Sequence, residues 1–244
     1  MINVENVGIW GFEHAVRGMR NPLNSWEKSD SKKCKKNKKT CAKCEYKDNC
    51  TYDYYIGPND LDLMRRLYKA GPEHRKYLRQ IEISMDITAP FYWWKEFDTY
   101  KVGTVSNSCS TMHKITAKEF TLADFSHENL TIPSLQVLQL TIDMLNRWRH
   151  IYLEGGAVVL NKEDISDENS MTFEPKNKIV WWQLIQLLPS SYNQRRTITM
   201  NYENAITMIK QRSGHKLTEW NTFVEVLKIL PYVKEITEEK DETK

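Results

Sequence analysis

"LLPSSYNQRRTITMNYENAITMIKQRSGHKLTEW", residues 187–220, is the stretch on which the reading of the whole chain turns. Pro189 ends an apolar helix, "NKIVWWQLIQLLP", because proline lacks the N–H that would carry the helix onward. Two more helices follow, over about 201–213 and 215–230. Asn201 therefore stands at the start of the first, and Arg212 and His215 lie around the gap between the two. An asparagine there caps a helix by accepting an orphan backbone N–H, or offers its amide to a ligand. Arg212 either pairs with a surface carboxylate, which contributes little, or forks onto a phosphate. His215 is open in the same way, as an acid–base group or as an ordinary surface histidine. From these residues alone both meanings stand.

Working outward, "QIEISMDIT" (80–88) alternates cleanly. Ile81, Ile83, Met85 and Ile87 share one face, with Glu82, Ser84 and Asp86 on the other, which predicts a half-buried strand. Before it, "GPNDLDLMRRLYKAG" predicts a helix capped by Asn59, striped by Leu61, Met64 and Tyr68, and ended by Gly71-Pro72. After it, Pro90 opens a helix through Phe91-Tyr92-Trp93-Trp94 to about Tyr100. Aromatic residues at helical spacing build cores, although Tyr92, Trp93 and Trp94 also offer a wall for a flat ring. A short helix starts at Thr121 to Asp124. "SLQVLQLTIDMLNRWRHIYLEGG" is the longest helix, striped by Leu135, Leu138, Ile142, Leu145 and Tyr152 and stopped at Gly155-Gly156. With no internal repeat and no second core, the 244 residues read as one α+β domain over 1–233, an insertion at 30–56 and a charged tail at 234–244.

The insertion holds the basic character. Residues 31–50 carry eight lysines against Glu45 and Asp48, so the net charge of +3 leaves the rest of the chain about −3. That is no domain-wide nucleic-acid footprint, though the lysines are able to attract phosphate. Cys34, Cys41, Cys44 and Cys50 give C-x6-C-x2-C-x5-C, a set that closes a tetrahedral sulfur shell around structural zinc; sulfur-only ligation also suits an iron–sulfur cluster. No run of residues is long and apolar enough to span a membrane. The N-terminus lacks the basic head and apolar body of a signal peptide, so the expectation is a cytoplasmic protein with reduced or metal-bound thiols.

"FDTYKVGTVSNSCSTMHK" (97–114) is the puzzle: small hydroxyl and amide side chains follow directly on the aromatic cluster. They read as a long polar turn, or as a place where backbone and short donors approach a planar ligand. Cys109 and His113 are candidates for a nucleophile and an acid–base group, each with an inert alternative. The C-terminal stretch, with Leu188-Pro189, Thr199-Met200-Asn201, Arg212, His215 and Glu219, resembles the flavin-dependent thymidylate synthases. "IEISMDITAPFYWWKEF", "DLMRRLYKAGPEH" and "AVRGMRNPLN" resemble earlier segments of that family, so the likeness covers most of the chain outside 30–56 and the tail. In the family, the aromatic helix runs into Arg-His-Arg-x-x-Ser-x-Asn-x-x-Ser-x-Arg. This chain keeps Asn107-x-x-Ser110, but has Asp98-Thr99-Tyr100 in place of Arg-His-Arg and Met112 in place of the last arginine. Ile185 and Gln186 lie where a further arginine is expected.

The resemblance implies a mainly antiparallel sheet packed by helices in a single domain. It also implies methylation of C5 of dUMP or a related pyrimidine nucleotide, with methylenetetrahydrofolate as carbon donor, NADPH as reductant and FAD as cofactor. Ser110 and Arg212 would be catalytic, and Asn107, Ser110, Arg195, Arg196 and Arg212 would bind the nucleotide. Asn201, His215 and Trp94 would hold the flavin, in a homotetramer with active sites shared between subunits. The alternative is a non-catalytic nucleotide- or nucleic-acid-binding protein that keeps the fold without the flavin site. The sequence shows no Gly-rich phosphate loop, HExxH or nucleophile elbow that would point to another enzyme class.

Overall fold

The computed structural model describes residues 2–34, 54–154 and 178–238. Its architecture is α+β, an antiparallel sheet packed by helices. The strand foreseen from Ile83, Met85 and Ile87 is β4 (Glu82–Pro90), whose burial alternates residue by residue with those three fully inside. It lies second in a sheet ordered β1-β4-β6-β5, with β1 at Asn3–Trp10, β5 at Thr104–Ser108 and β6 at Asn193–Asn201. A separate ribbon pairs β2 (Lys32–Lys33) antiparallel with β3 (Tyr54–Tyr55) and brings together the two ends of the Lys/Cys segment. Cys34 directly follows β2, while Cys41, Cys44 and Cys50 lie outside the described residues. Among the described residues no helix is long and apolar enough to cross a membrane, and no three metal-ligating side chains gather.

The chain forms two compact units, and β4, β5 and β6 each pass from one into the other. One unit comprises Thr88–Lys95 and Ser108–Arg195. The aromatic segment is helix α3 (Phe91–Phe97), and in this unit Trp93 and Trp94 are buried, their rings 4.9 Å apart edge to face. Helix α4 is the single turn Thr111–Lys114; α5 (Ile132–Glu154) and α6 (Lys178–Leu187) pack together. Leu138, Ile142 and Leu145 of the foreseen stripe meet Leu184, Ile115, Phe120 and Phe125 in one apolar core, while Tyr152 packs at its edge. The i, i+4, i+7 spacing of the three leucine and isoleucine positions turns one face of α5 inward.

The other unit comprises Ile2–Ile87, Glu96–Asn107 and the chain from Arg196 onward. It carries helices α1 (Phe12–Arg20), α2 (Pro58–Ala70), α7 (Tyr202–Arg212), α8 (Thr218–Lys228) and α9 (Val233–Thr237). Two expectations change here. Asn59 does not cap α2: Gly57 precedes it with Pro58 in the first turn, and the Asp30 carboxylate accepts the N–H groups of Asn59 (2.9 Å) and Asp60 (3.1 Å). The solvated tail also begins later than residue 234, because α9 buries Val233 and Ile236. Apolar residues four positions apart at 232–236 were enough for one more docked turn.

Candidate functional site

In the first unit, the last part of the polar stretch, from Ser108 onward, acquires its shape from the start of β6. The Cys109 N–H donates to the Arg195 carbonyl at 2.9 Å, and Gln194 Nε2 donates back to the Cys109 carbonyl at 2.8 Å. The chain turns at Ser110, whose Oγ accepts the His113 N–H at 3.1 Å and so caps α4. Between this turn and residues 192–195 lies a cavity of about 380 Å³, within the range of small-molecule sites. Ser110, Lys114, Lys118, Asp124, Tyr192 and Arg195 are among its walls, as are Cys109 and Phe120.

Three basic side chains, Lys114, Lys118 and Arg195, and one carboxylate, Asp124, line this cavity. Lys118 bonds Asp124, which also accepts the Thr121 N–H at 2.9 Å. Burial drives the Asp124 carboxyl upward, but the bonds from Lys118 and Thr121 outweigh it and hold its pKa below the ordinary value, so it stays ionised. Tyr192 is pushed the other way, first by burial and then by the neighbouring Asp124 and Cys109, so its phenol stays protonated and is a donor. The Ser110 hydroxyl has its acceptor side engaged by the cap and can still donate its proton to a ligand.

In the second unit, a different cluster forms around Glu96. Arg212 Nη1 donates to Glu96 Oε2 at 2.6 Å, Arg212 Nε donates to the Tyr100 hydroxyl at 2.9 Å, and the Trp220 indole N–H donates to Glu96 at 2.9 Å. The guanidinium lies 4.6 Å over the Trp220 ring. His215 Nε2 stands 3.2 Å from Arg212 Nη1, and its Nδ1 accepts the Leu217 N–H at 3.2 Å. Nearby in sequence, Asp98 accepts from Arg196 at 2.8 Å. The acids at 96 and 98 thus hold the two arginines. Asn201, 9% exposed, caps α7 by accepting the Asn204 N–H at 3.1 Å.

Of the residues expected to form a site, Ser110 and Arg195 share the cavity. Asn107 is exposed on β5, and Arg196, Asn201, Arg212 and His215 belong to the second unit, outside the cavity's lining. Trp94 is 1% exposed with its indole N–H on the Gln194 carbonyl, so no face of its ring is open. Sequence reasoning passed over Lys114, Lys118, Asp124 and Tyr192 in the cavity, and Glu96 and Tyr100 in the cluster. Lys114 and Lys118 had a signal: they follow Ser110 by four and eight residues, the spacing of one helical face. Glu96 had none, because its partners lie more than a hundred positions away.

Fold and cavity together define a class: an α+β protein whose antiparallel sheet is packed by helices and which carries a cavity of small-molecule size lined by lysine, arginine, aspartate and tyrosine side chains. The solved structures that this chain is similar to narrow the fold further. A flavin-dependent thymidylate synthase ThyX from Helicobacter pylori, complexed with FAD and dUMP, matches with a TM-score of 0.56 at 15% identity, covering 95% of this chain and 96% of its own. The UMP/dUMP methylase PolB from Streptomyces cacaoi, bound with 5-Br UMP, matches with a TM-score of 0.51 at 11% identity, covering 93% of this chain and 87% of its own. No family model matches the sequence, and no curated protein matches it. The chain has the ThyX-type fold.

Proposed function

We propose that this chain handles a pyrimidine nucleotide and methylates C5 of dUMP or a related uracil nucleotide, with methylenetetrahydrofolate as carbon donor and NADPH as reductant. The observation that carries the reading is the cavity at Ser110. Ser110 of the retained Asn-x-x-Ser lines a pocket of nucleotide size, with Arg195 as the cation for a phosphate and a protonated tyrosine for a polar edge. The ThyX-type fold over almost the whole chain supports it. In this reading the residues bind and orient: Ser110 donates to the pyrimidine, Arg195 faces the phosphate, and Phe120 and Tyr192 exclude water from one side. A homotetramer belongs to the same proposal.

Flavin fares differently. Trp94 has no open ring face, Asn201 is engaged as a helix cap, and His215 is held between Arg212 and the Leu217 N–H. Arg212 and Arg196, expected to bind the nucleotide, are bound to Glu96 and Asp98. The three residues expected to hold FAD do not fit it as they stand. Those same ion pairs favour a second reading, a nucleotide- or nucleic-acid-binding protein that keeps the fold without redox chemistry. In both readings the four cysteines of the insertion hold a structural zinc, a proposal that rests on their spacing. Purified protein decides between the two: bound flavin absorbance with dUMP-dependent NADPH oxidation supports the enzyme. A colourless protein that binds dUMP or an oligonucleotide with strong salt dependence supports the binding module.

A further inference from the structure

The cavity contains a cation whose role neither reading has assigned. Lys114 ends the short helix that Ser110 caps, its side chain is exposed, and it has no ion pair among the described residues. Lys118, four residues further on and beyond the helix, is already tied to Asp124. The geometry points to Lys114 as a second phosphate-binding cation of this cavity beside Arg195, with the Tyr192 hydroxyl as a donor to the base or sugar. The inference rests on the nucleotide reading of the cavity.

The lining favours a small anionic ligand. Lys118 and Asp124 offset one another, and Lys114 adds a cation with no ion pair among the described residues, which suits a phosphomonoester better than the larger charge of a di- or triphosphate. A lysine serves here as a point charge, without the planar fork of an arginine, so the phosphate is held by charge more than by orientation. Orientation then falls to neutral donors, and the Tyr192 phenol is suited to it. Burial and the neighbouring Asp124 keep it protonated, and no hydrogen-bond partner for its hydroxyl occurs among the described residues.

Calorimetry with dUMP, deoxyuridine and inorganic phosphate tests the assignment on wild type, Lys114→Gln, Lys114→Arg and Tyr192→Phe, with thermal unfolding as the check on folding. Lys114→Gln should weaken dUMP binding about ten- to a hundredfold, the scale of one charge-assisted hydrogen bond, and leave deoxyuridine binding unchanged. Lys114→Arg should restore dUMP binding, and Tyr192→Phe should weaken dUMP and deoxyuridine alike. If Lys114→Gln binds dUMP as tightly as wild type, the assignment is overturned while the nucleotide reading survives. If phosphate binds in a Lys114-dependent way but dUMP binds no better, the phosphate cation stands and the uracil reading falls. A folded wild type that binds neither removes both.

Discussion

At Asp60 a fully buried carboxylate is held by Arg20 at 2.5 Å, by the hydroxyls of Ser29 (2.7 Å) and Ser31 (2.5 Å), and by the N–H groups of Asp30 and Ser31. Burial drives its pKa up, but the bonds from Ser31, Ser29 and Arg20 more than offset this and leave it lowered. A group whose folded pKa is depressed contributes stability that is present above the unfolded value and lost as pH falls through the folded one. The contribution should thus be whole at neutral pH and disappear on the acid side of about pH 4. Asp60→Ala should cost about 3–5 kcal/mol in urea unfolding at pH 7, because it strands the buried Arg20. The difference from wild type should shrink in acid, and an undiminished difference there would contradict the assignment. Glu96 and Arg212 are more exposed, so solvent screens them. A double-mutant cycle of Glu96→Gln with Arg212→Gln should still give a coupling of about 0.5–3 kcal/mol, since the same carboxylate also holds the Trp220 indole. Independent, additive effects would show that the cluster is not a unit. Neither carboxylate stood out in the sequence, for the same reason: Asp60 looks like a first-turn helix residue and Glu96 like surface, until partners distant in the chain close on them.

At the scale of elements, legibility followed periodicity. β4 and α5 showed their period, 2 for the strand and 3.6 for the helix, and the buried faces are those the period selects. β5, "TVSNS", has no such signal because it is the edge of the sheet and is mostly exposed, so it needs no apolar face. The turn before it depends on Gly103, with φ +74°. A Cβ there would fall 2.6 Å from Asn201 Nδ2 and 3.1 Å from Asn204 Nδ2, and Asn204 in turn donates to the Val102 carbonyl at 2.8 Å. Gly103→Ala should therefore lose about 1–3 kcal/mol, and more than Gly214→Ala, where φ is +71° but nothing lies within 4 Å. Equal losses at the two glycines would remove the packing argument and leave only backbone strain. For the insertion, metal analysis should find one zinc per chain, lost in Cys41→Ser and on chelation. A zinc-free protein of unchanged thermal stability would end that proposal, and a brown iron-containing one would replace the metal.

Across the whole molecule, the ThyX-type fold was legible from segments scattered along the chain, whereas the site was legible only in part. Ser110 and Arg195 line one cavity, but Trp94 went to the core and Asn201 to a helix cap. Motif spacing reports which residues occupy family positions. It does not report that Asp98 and Glu96 have turned two arginines inward, because those pairings arise only from tertiary contact. The claim on which the rest depends is that the cavity beside Ser110 takes a uracil nucleotide. PolB has been solved bound with 5-Br dUMP, and the same compound offers the most direct measurement: anomalous diffraction at the bromine edge from crystals soaked with it. The account predicts a bromine peak within the cavity walled by Ser110, Lys114 and Tyr192. A peak elsewhere on the molecule, or a well-ordered cavity with no bromine at saturating ligand, would contradict it.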